Sequence, residues 1–150
     1  MRLFILLFGL SFISSTFRPG SGTAYLKCKS ESGKTIFNAE LQDIVGLLES
    51  AEFTVDTKKV KFDGSDEAFT IFDPKNGVFT IYINGKTNEE FTNSRFVSFW
   101  AIPTSFKIIN KDRANQKYEF KAKIFGTEPR KGRQLITPEI KLICTLEYKI

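Results

Sequence analysis

The last stretch of the chain, Ile140 to Ile150, most constrains what it can fold into. Ile140, Leu142, Cys144, Leu146, Tyr148 and Ile150 fall on one parity, while Glu139, Lys141, Thr145, Glu147 and Lys149 fall on the other, with Ile143 the apolar exception. A period of two is what a strand with one buried and one wet face requires; a helix would scatter these residues around its axis. The buried parity carries Cys144, one of only two cysteines, and Cys28 stands near the other end of the chain. In an oxidising compartment the two are expected to form a disulfide tying the last strand to the first. Closing so long a loop contributes about 4–5 kcal/mol in the chain-entropy account.

The opposite terminus indicates the compartment. Arg2 precedes an apolar run, Leu3 to Ile13, and small and polar residues follow as far as Gly22-Thr23-Ala24. That is the pattern of a secretory leader, with cleavage expected after Ala24, so that residues 1–24 are removed and residues 25–150 form a single domain. The apolar run is shorter than the about 20 residues needed to span a bilayer. Lys27, directly before Cys28, stands where a bacterial lipid-attachment signal carries a small residue. The expectation is an exported protein, periplasmic or extracellular and not membrane-spanning. The absence of an Asn-x-Ser/Thr sequon fits a bacterial source. The net charge is +5, and Arg2 and Arg18 would leave with the leader. The remaining lysines alternate with glutamates along strand patterns, as on a solvated sheet face, which argues against a nucleic-acid partner.

Along the chain the same alternation recurs. Tyr25 to Lys29 reads as a first strand with Leu26 and Cys28 inward, and Lys34 to Leu41 as a second with Phe37, Ala39 and Leu41 inward. Gln42 to Ser50 loses the period and suggests a short helical turn or an apolar loop. Phe53 and Val55, then Val60 and Phe62, make a hairpin broken at Thr57-Lys58. Phe69 and Ile71 mark another strand. Asp73-Pro74-Lys75-Asn76-Gly77 then suits a tight reversal, since proline fixes φ and Asn-Gly accepts positive φ. Phe79, Ile81 and Ile83 return, and Asn84-Gly85 gives a further turn signal before the polar, irregular stretch Lys86 to Ser94. Arg95 to Ile102 is the most apolar run, stopped by Pro103. Phe106 and Ile108 lie on a strand ending in a polar turn, Lys111 to Gln116. Tyr118, Phe120, Ala122 and Ile124 then alternate with Lys117, Glu119, Lys121 and Lys123 without exception. Gly126 to Pro138 reads as a long loop, with Arg130, Lys131 and Arg133 as a basic cluster.

About eight to ten short strands separated by turn signals imply an all-β, antiparallel barrel or sandwich. A bridge between the first and last strands requires them to be near neighbours, which favours a closed or nearly closed barrel. An immunoglobulin domain is disfavoured, because its cysteines lie closer in sequence and on interior strands.

The chemistry on offer is narrow. Histidine is absent, which removes His-dependent triads, His-ligated zinc and the commonest general base. Gly33-Lys34-Thr35 and Gly85-Lys86-Thr87 resemble the end of a phosphate-binding loop, but Cys28 and Thr80 stand where its first glycine belongs. Asp63-Gly64-Ser65-Asp66-Glu67 lacks calcium-loop spacing and reads as an acidic hairpin tip. No catalytic residue, metal site or cofactor is therefore assigned. Two features could bind a partner. One is the aromatic run Phe96, Phe99 and Trp100, either core or the wall of an apolar pocket. Alternation puts Phe96 and Ser98 on one side and Val97 and Phe99 on the other. The second is the basic loop 126–138, which would meet a protein or an anionic envelope component through Arg130, Lys131 and Arg133.

Tyr25-Leu26-Lys27-Cys28 and a late cysteine on a small exported β-domain resemble the bacterial periplasmic inhibitors of C-type lysozyme. The resemblance covers the two ends of the chain and implies a style of fold. The leading functional expectation is a small exported, non-enzymatic interaction protein. The alternatives are a β-barrel carrier of a small apolar ligand and, more remotely, a lysozyme-inhibitor-like protein.

Overall fold

A computed structural model describes residues 22–42, 47–85, 95–112, 114–128 and 135–149. Residues 1–21 of the expected leader, the stretch 86–94 and the basic residues Arg130, Lys131 and Arg133 lie outside the described residues. What is described is one antiparallel sheet curled into a half-barrel. Its strands are β1 (Thr23–Lys29), β2 (Thr35–Leu41), β3 (Leu48–Val55), β4 (Lys58–Asp63), β5 (Glu67–Asp73), β6 (Val78–Gly85), β7 (Arg95–Ala101), β8 (Lys107–Asp112), β9 (Asn115–Glu128), β10 (Leu135–Ile136) and β11 (Ile140–Lys149).

Across the sheet the order is β4-β3-β2-β1-β11-β9-β7-β6-β5, with β8 and β10 also paired to β9. The alternating C-terminal strand therefore lies in the middle, between β1 and β9. Leu142, Cys144, Leu146 and Tyr148 are buried, while Ile143 on the other parity is exposed. In the β1–β11 ladder Cys28 is the register partner of Cys144. The two are disulfide-bonded across 116 positions of sequence, with Cα atoms 4.1 Å apart, close to the spacing of a non-hydrogen-bonded antiparallel pair. The first and last strands are thus direct neighbours.

The turns follow their residues. Asp56, at φ 54°, and Thr57 join β3 to β4. Between β5 and β6 the Asp73 carboxylate accepts hydrogen bonds from the backbone N–H groups of Lys75 and Asn76 and from the Asn76 amide, and Gly77 closes the reversal at φ 68°. Only a residue without Cβ enters that left-handed region at no steric cost.

Curling the sheet brings its inner faces together. Phe37 of β2 lies against Phe99 of β7 at 5.3 Å between ring centroids, and Phe79 and Phe120 both stand edge-on to Phe99. Phe72, Phe106 and Tyr118 continue the ring cluster to one end, where Phe106 stacks on Phe120 at 4.6 Å. Aromatic pairs at these separations and angles use the edge-to-face attraction as well as the burial of large apolar surface. Near the free edge of β4, Arg95 lies over the Phe62 ring and donates to the Lys61 carbonyl oxygen.

Several local expectations are corrected. Leu48 to Ser50, read as turn or loop, already belongs to β3. Asn84-Gly85, read as a turn, ends β6 in extended conformation, paired to Phe96 and Arg95. Asn115 and Gln116 begin β9 instead of closing a turn. The supposed loop from Gly126 is partly a hairpin: Leu135 pairs with Glu128 and Ile136 with Thr127. In each case cross-strand pairing extends strand past polar or glycine residues, which local propensity alone cannot reveal.

Candidate partner-binding face

Register partners in an antiparallel sheet point to the same side, so the ladders define what each face carries. On the inner side of β7 lie Val97, Phe99 and Ala101, all buried. Phe96, Ser98 and Trp100 take the outer side and are half-buried. The three residues expected to form one pocket wall are therefore divided. Phe99 is core, fully enclosed by Phe37, Phe79 and Phe120, whereas Phe96 and Trp100 share an outward surface.

That surface is wider than the sequence suggested. Outer-face register runs Phe69–Tyr82–Ser98–Phe125 across β5, β6, β7 and β9, and beside it Ile71–Thr80–Trp100–Lys123. Phe125 stands edge-on to Phe96 at 5.8 Å and to Trp100 at 5.7 Å. Toward the β5 side the apolar groups open to solvent, with Phe69 58%, Tyr82 44% and Ile71 43% exposed. Six large apolar side chains, Phe69, Ile71, Tyr82, Phe96, Trp100 and Phe125, thus occupy one outward region, bordered by Glu67, Asp73, Asn84 and Lys123. Contiguous apolar surface rimmed by polar groups marks an interaction site more often than scattered exposed residues do.

The other half of the outer face has a different character. Along β1, β2, β3 and β11 it presents mainly Lys27, Lys29, Asn38, Glu40, Glu52, Glu147 and Lys149, with Tyr25, Ile36 and Ile143 each beside a charged register partner, and two of its glutamates are paired to lysines. Lys59 bonds Glu52 at 2.9 Å and Lys117 bonds Glu147 at 3.1 Å. Hydrogen bonds from these lysines hold the Glu52 and Glu147 carboxyls below their ordinary pKa. A shallow groove of about 390 Å³ on this half is lined partly by Lys27, Glu40, Glu52 and Lys61. Its charged residues are of both signs, with Tyr25 and Phe62 also in its lining.

The acidic cluster forms the β4–β5 turn. Asp63 accepts from the Ser65 backbone N–H, and the Asp63 N–H donates to the Asp66 carboxylate. Among the described residues no group of three or more Cys, Asp or Glu is gathered as for a metal ion, and no helix is long and apolar enough to cross a membrane. Arg130, Lys131 and Arg133 lie outside the described residues; the described strand ends that flank them in sequence, Glu128 and Leu135, are paired, and the Phe96 N–H donates to the Thr127 hydroxyl.

Phe69, Ile71, Tyr82 and Phe125 were missed as site residues. For Tyr82 and Phe125 the signal is present in the sequence, as aromatic residues on the parity that should be polar. On β9 that parity runs Lys117, Glu119, Lys121, Lys123 and then Phe125. Comparison with protein-family models gives no match, and comparison with curated proteins and with solved structures gives no significant one.

Proposed function

We propose that this chain is an exported, non-enzymatic binding domain that meets a protein partner through the outer face of β5, β6, β7 and β9. The observation that carries this reading is the division of the outer face into a half where lysines and glutamates predominate, with Glu52 and Glu147 paired to lysines, and an aromatic half open to solvent at Phe69, Ile71 and Tyr82. Aromatic side chains cover a large area with few rotors to immobilise, which is why they are enriched at the centres of interfaces. Export is supported by the leader-like N-terminus and by the oxidised Cys28–Cys144 pair. Arg130, Lys131 and Arg133, which follow Thr127 and Glu128 in sequence, would supply charge for acidic or anionic groups on the partner. A non-enzymatic role is supported by the lack of histidine and by the bonded state of both cysteines.

The test is photo-crosslinking in cells that make the protein, with a reactive side chain placed at position 69 or 82 and, for contrast, at Lys27 or Asn38 on the charged half. Adducts of defined mass from 69 and 82, and none from 27 and 38, are expected. Equal yields from both halves, or no adduct from either, would remove the aromatic face as the partner surface.

A further inference from the structure

Among the described residues, three strands longer than two residues are paired on one side along much of their length: β4, β5 and β8. Unpaired edges invite a further strand, and proteins ordinarily guard them with lysines, bulges or covering groups. On β4 the guard is Lys58, Lys59 and Lys61, with the Lys61 carbonyl taken by Arg95. On β8 it is Lys107 and Lys111, with a register shift between Ile108 and Asn110. No such device is present on β5. Its seven residues, Glu67–Asp73, contain no lysine and no proline and keep an unbroken register with β6. The uncharged core Ala68-Phe69-Thr70-Ile71-Phe72 has the composition that pairs most readily with another strand.

We propose that β5 is a strand-accepting edge, and that its occupant is an extended segment of a partner protein, apolar at alternate positions and basic at its two ends. Resting on the reading of the aromatic face as the partner surface, this names the chemistry that face would recognise. The segment would add its backbone to the ladder beside β5. Its apolar side chains on one parity would lie next to Phe69 and Ile71, extending the aromatic face by one strand. The ends of β5 supply the charge complementarity. Glu67 opens the strand and Asp73 closes it, and the Asp73 carboxyl is kept ionised in the turn by its bonds to Asn76 and Lys75. These same two carboxylates disfavour a second copy of the chain as occupant. Full antiparallel overlap of two β5 strands sets Glu67 of each against Asp73 of the other, and like charges directly opposite are destabilising.

Two synthetic peptides distinguish the possibilities, Lys-Thr-Val-Thr-Val-Thr-Lys, whose lysines and valines share the parity of Glu67, Phe69, Ile71 and Asp73, and its counterpart with glutamate at both ends, each titrated into the full chain with its disulfide intact. The emission of Trp100, the single tryptophan, together with calorimetry reads binding, and backbone amide exchange reads its location. The lysine-ended peptide is expected to bind, to slow exchange between Ala68 and Phe72, and to bind about tenfold or more better than the glutamate-ended one. Phe69→Lys and Thr70→Lys, checked as folded by their core amide protection, should each abolish that binding. Equal binding of both peptides, binding without protection in β5, no binding, or self-association of the chain through β5 would each overturn the proposal. Binding without protection in β5, with Trp100 emission still responding, would leave the aromatic-face reading standing. Crosslinks from positions 69 and 82 with no peptide binding would do the same.

Discussion

Cys28 stands directly across from Cys144 in the β1–β11 ladder, so the disulfide joins two residues that strand pairing already holds together. Its main effect is therefore on the unfolded chain, where it closes nearly the whole length into a loop. Replacing both cysteines by alanine should preserve the fold and lower its stability by about 2–5 kcal/mol. Urea unfolding of the double variant beside the oxidised parent checks this, with the midpoint falling while core amide protection in the absence of urea is retained.

Gly77 and Gly33 both adopt positive φ, 68° and 72°, yet their surroundings differ. A Cβ on Gly77 would come within 2.6 Å of the Pro103 carbonyl oxygen, whereas nothing lies within 4 Å of one on Gly33. Gly33→Ala should cost about 1 kcal/mol, from backbone conformation alone. Gly77→Ala should cost about 1–3 kcal/mol more, because the turn must move off the segment after β7. Comparing the two thermal midpoints separates the terms.

Acid should weaken the fold, with a definite sign. Hydrogen bonding from Asn76 lowers the Asp73 carboxyl below its ordinary 3.8, and Lys59 and Lys117 lower Glu52 and Glu147 below 4.5. The unfolded chain regains the ordinary values and so takes up protons first as pH falls. The stabilisation from these groups is complete above the ordinary range and is lost as pH drops through the lowered values. Urea midpoints should stay level from neutral pH to that range and decline below it. Asn76→Ala should make the decline shallower by removing the first of these hydrogen-bond donors.

Ala24, the residue after which leader cleavage was expected, lies fully buried in β1, opposite Tyr148 on one side and Leu41 on the other. Gly22 also packs close beneath the Tyr148 ring. A chain beginning at Tyr25 should therefore be less stable than one beginning at Gly22, by about 1–3 kcal/mol. Calorimetry of the two chains measures the difference. The mass of the exported protein should place its first residue no later than Thr23.

Much of this architecture is legible in the alternation of single strands. The inward sets Leu26 and Cys28, Phe37 and Ala39, Phe79 to Ile83, and Tyr118 to Ile124 are buried as their parity implies. The disulfide partners and their adjacency were legible too, because export and cysteine count leave one pairing. The candidate site was legible only in part. Phe96 and Trp100 could be assigned to a parity, but a surface made by four strands depends on which strands are neighbours and in what register. Neither is written in any one strand. Phe69 and Ile71 illustrate the difficulty: they look like an inward pair, yet Ala68, Thr70 and Phe72 face the interior opposite Ile83, Ile81 and Phe79. Tertiary pairing decided the facing, overriding the hydrophobicity of the side chains themselves.

The central position of β11 also bears on how the protein is made. Residues 140–149 leave the ribosome after all ten strands before them, yet they supply the ladder between β1 and β9. Until they emerge, the nascent chain can form only two separate partial sheets, each with an open edge where β11 will later lie. Completion of the sheet therefore waits for residues 140–149 to be made, and for their export if the chain crosses a membrane unfolded. A product lacking residues 140–149 would be left as two unjoined halves.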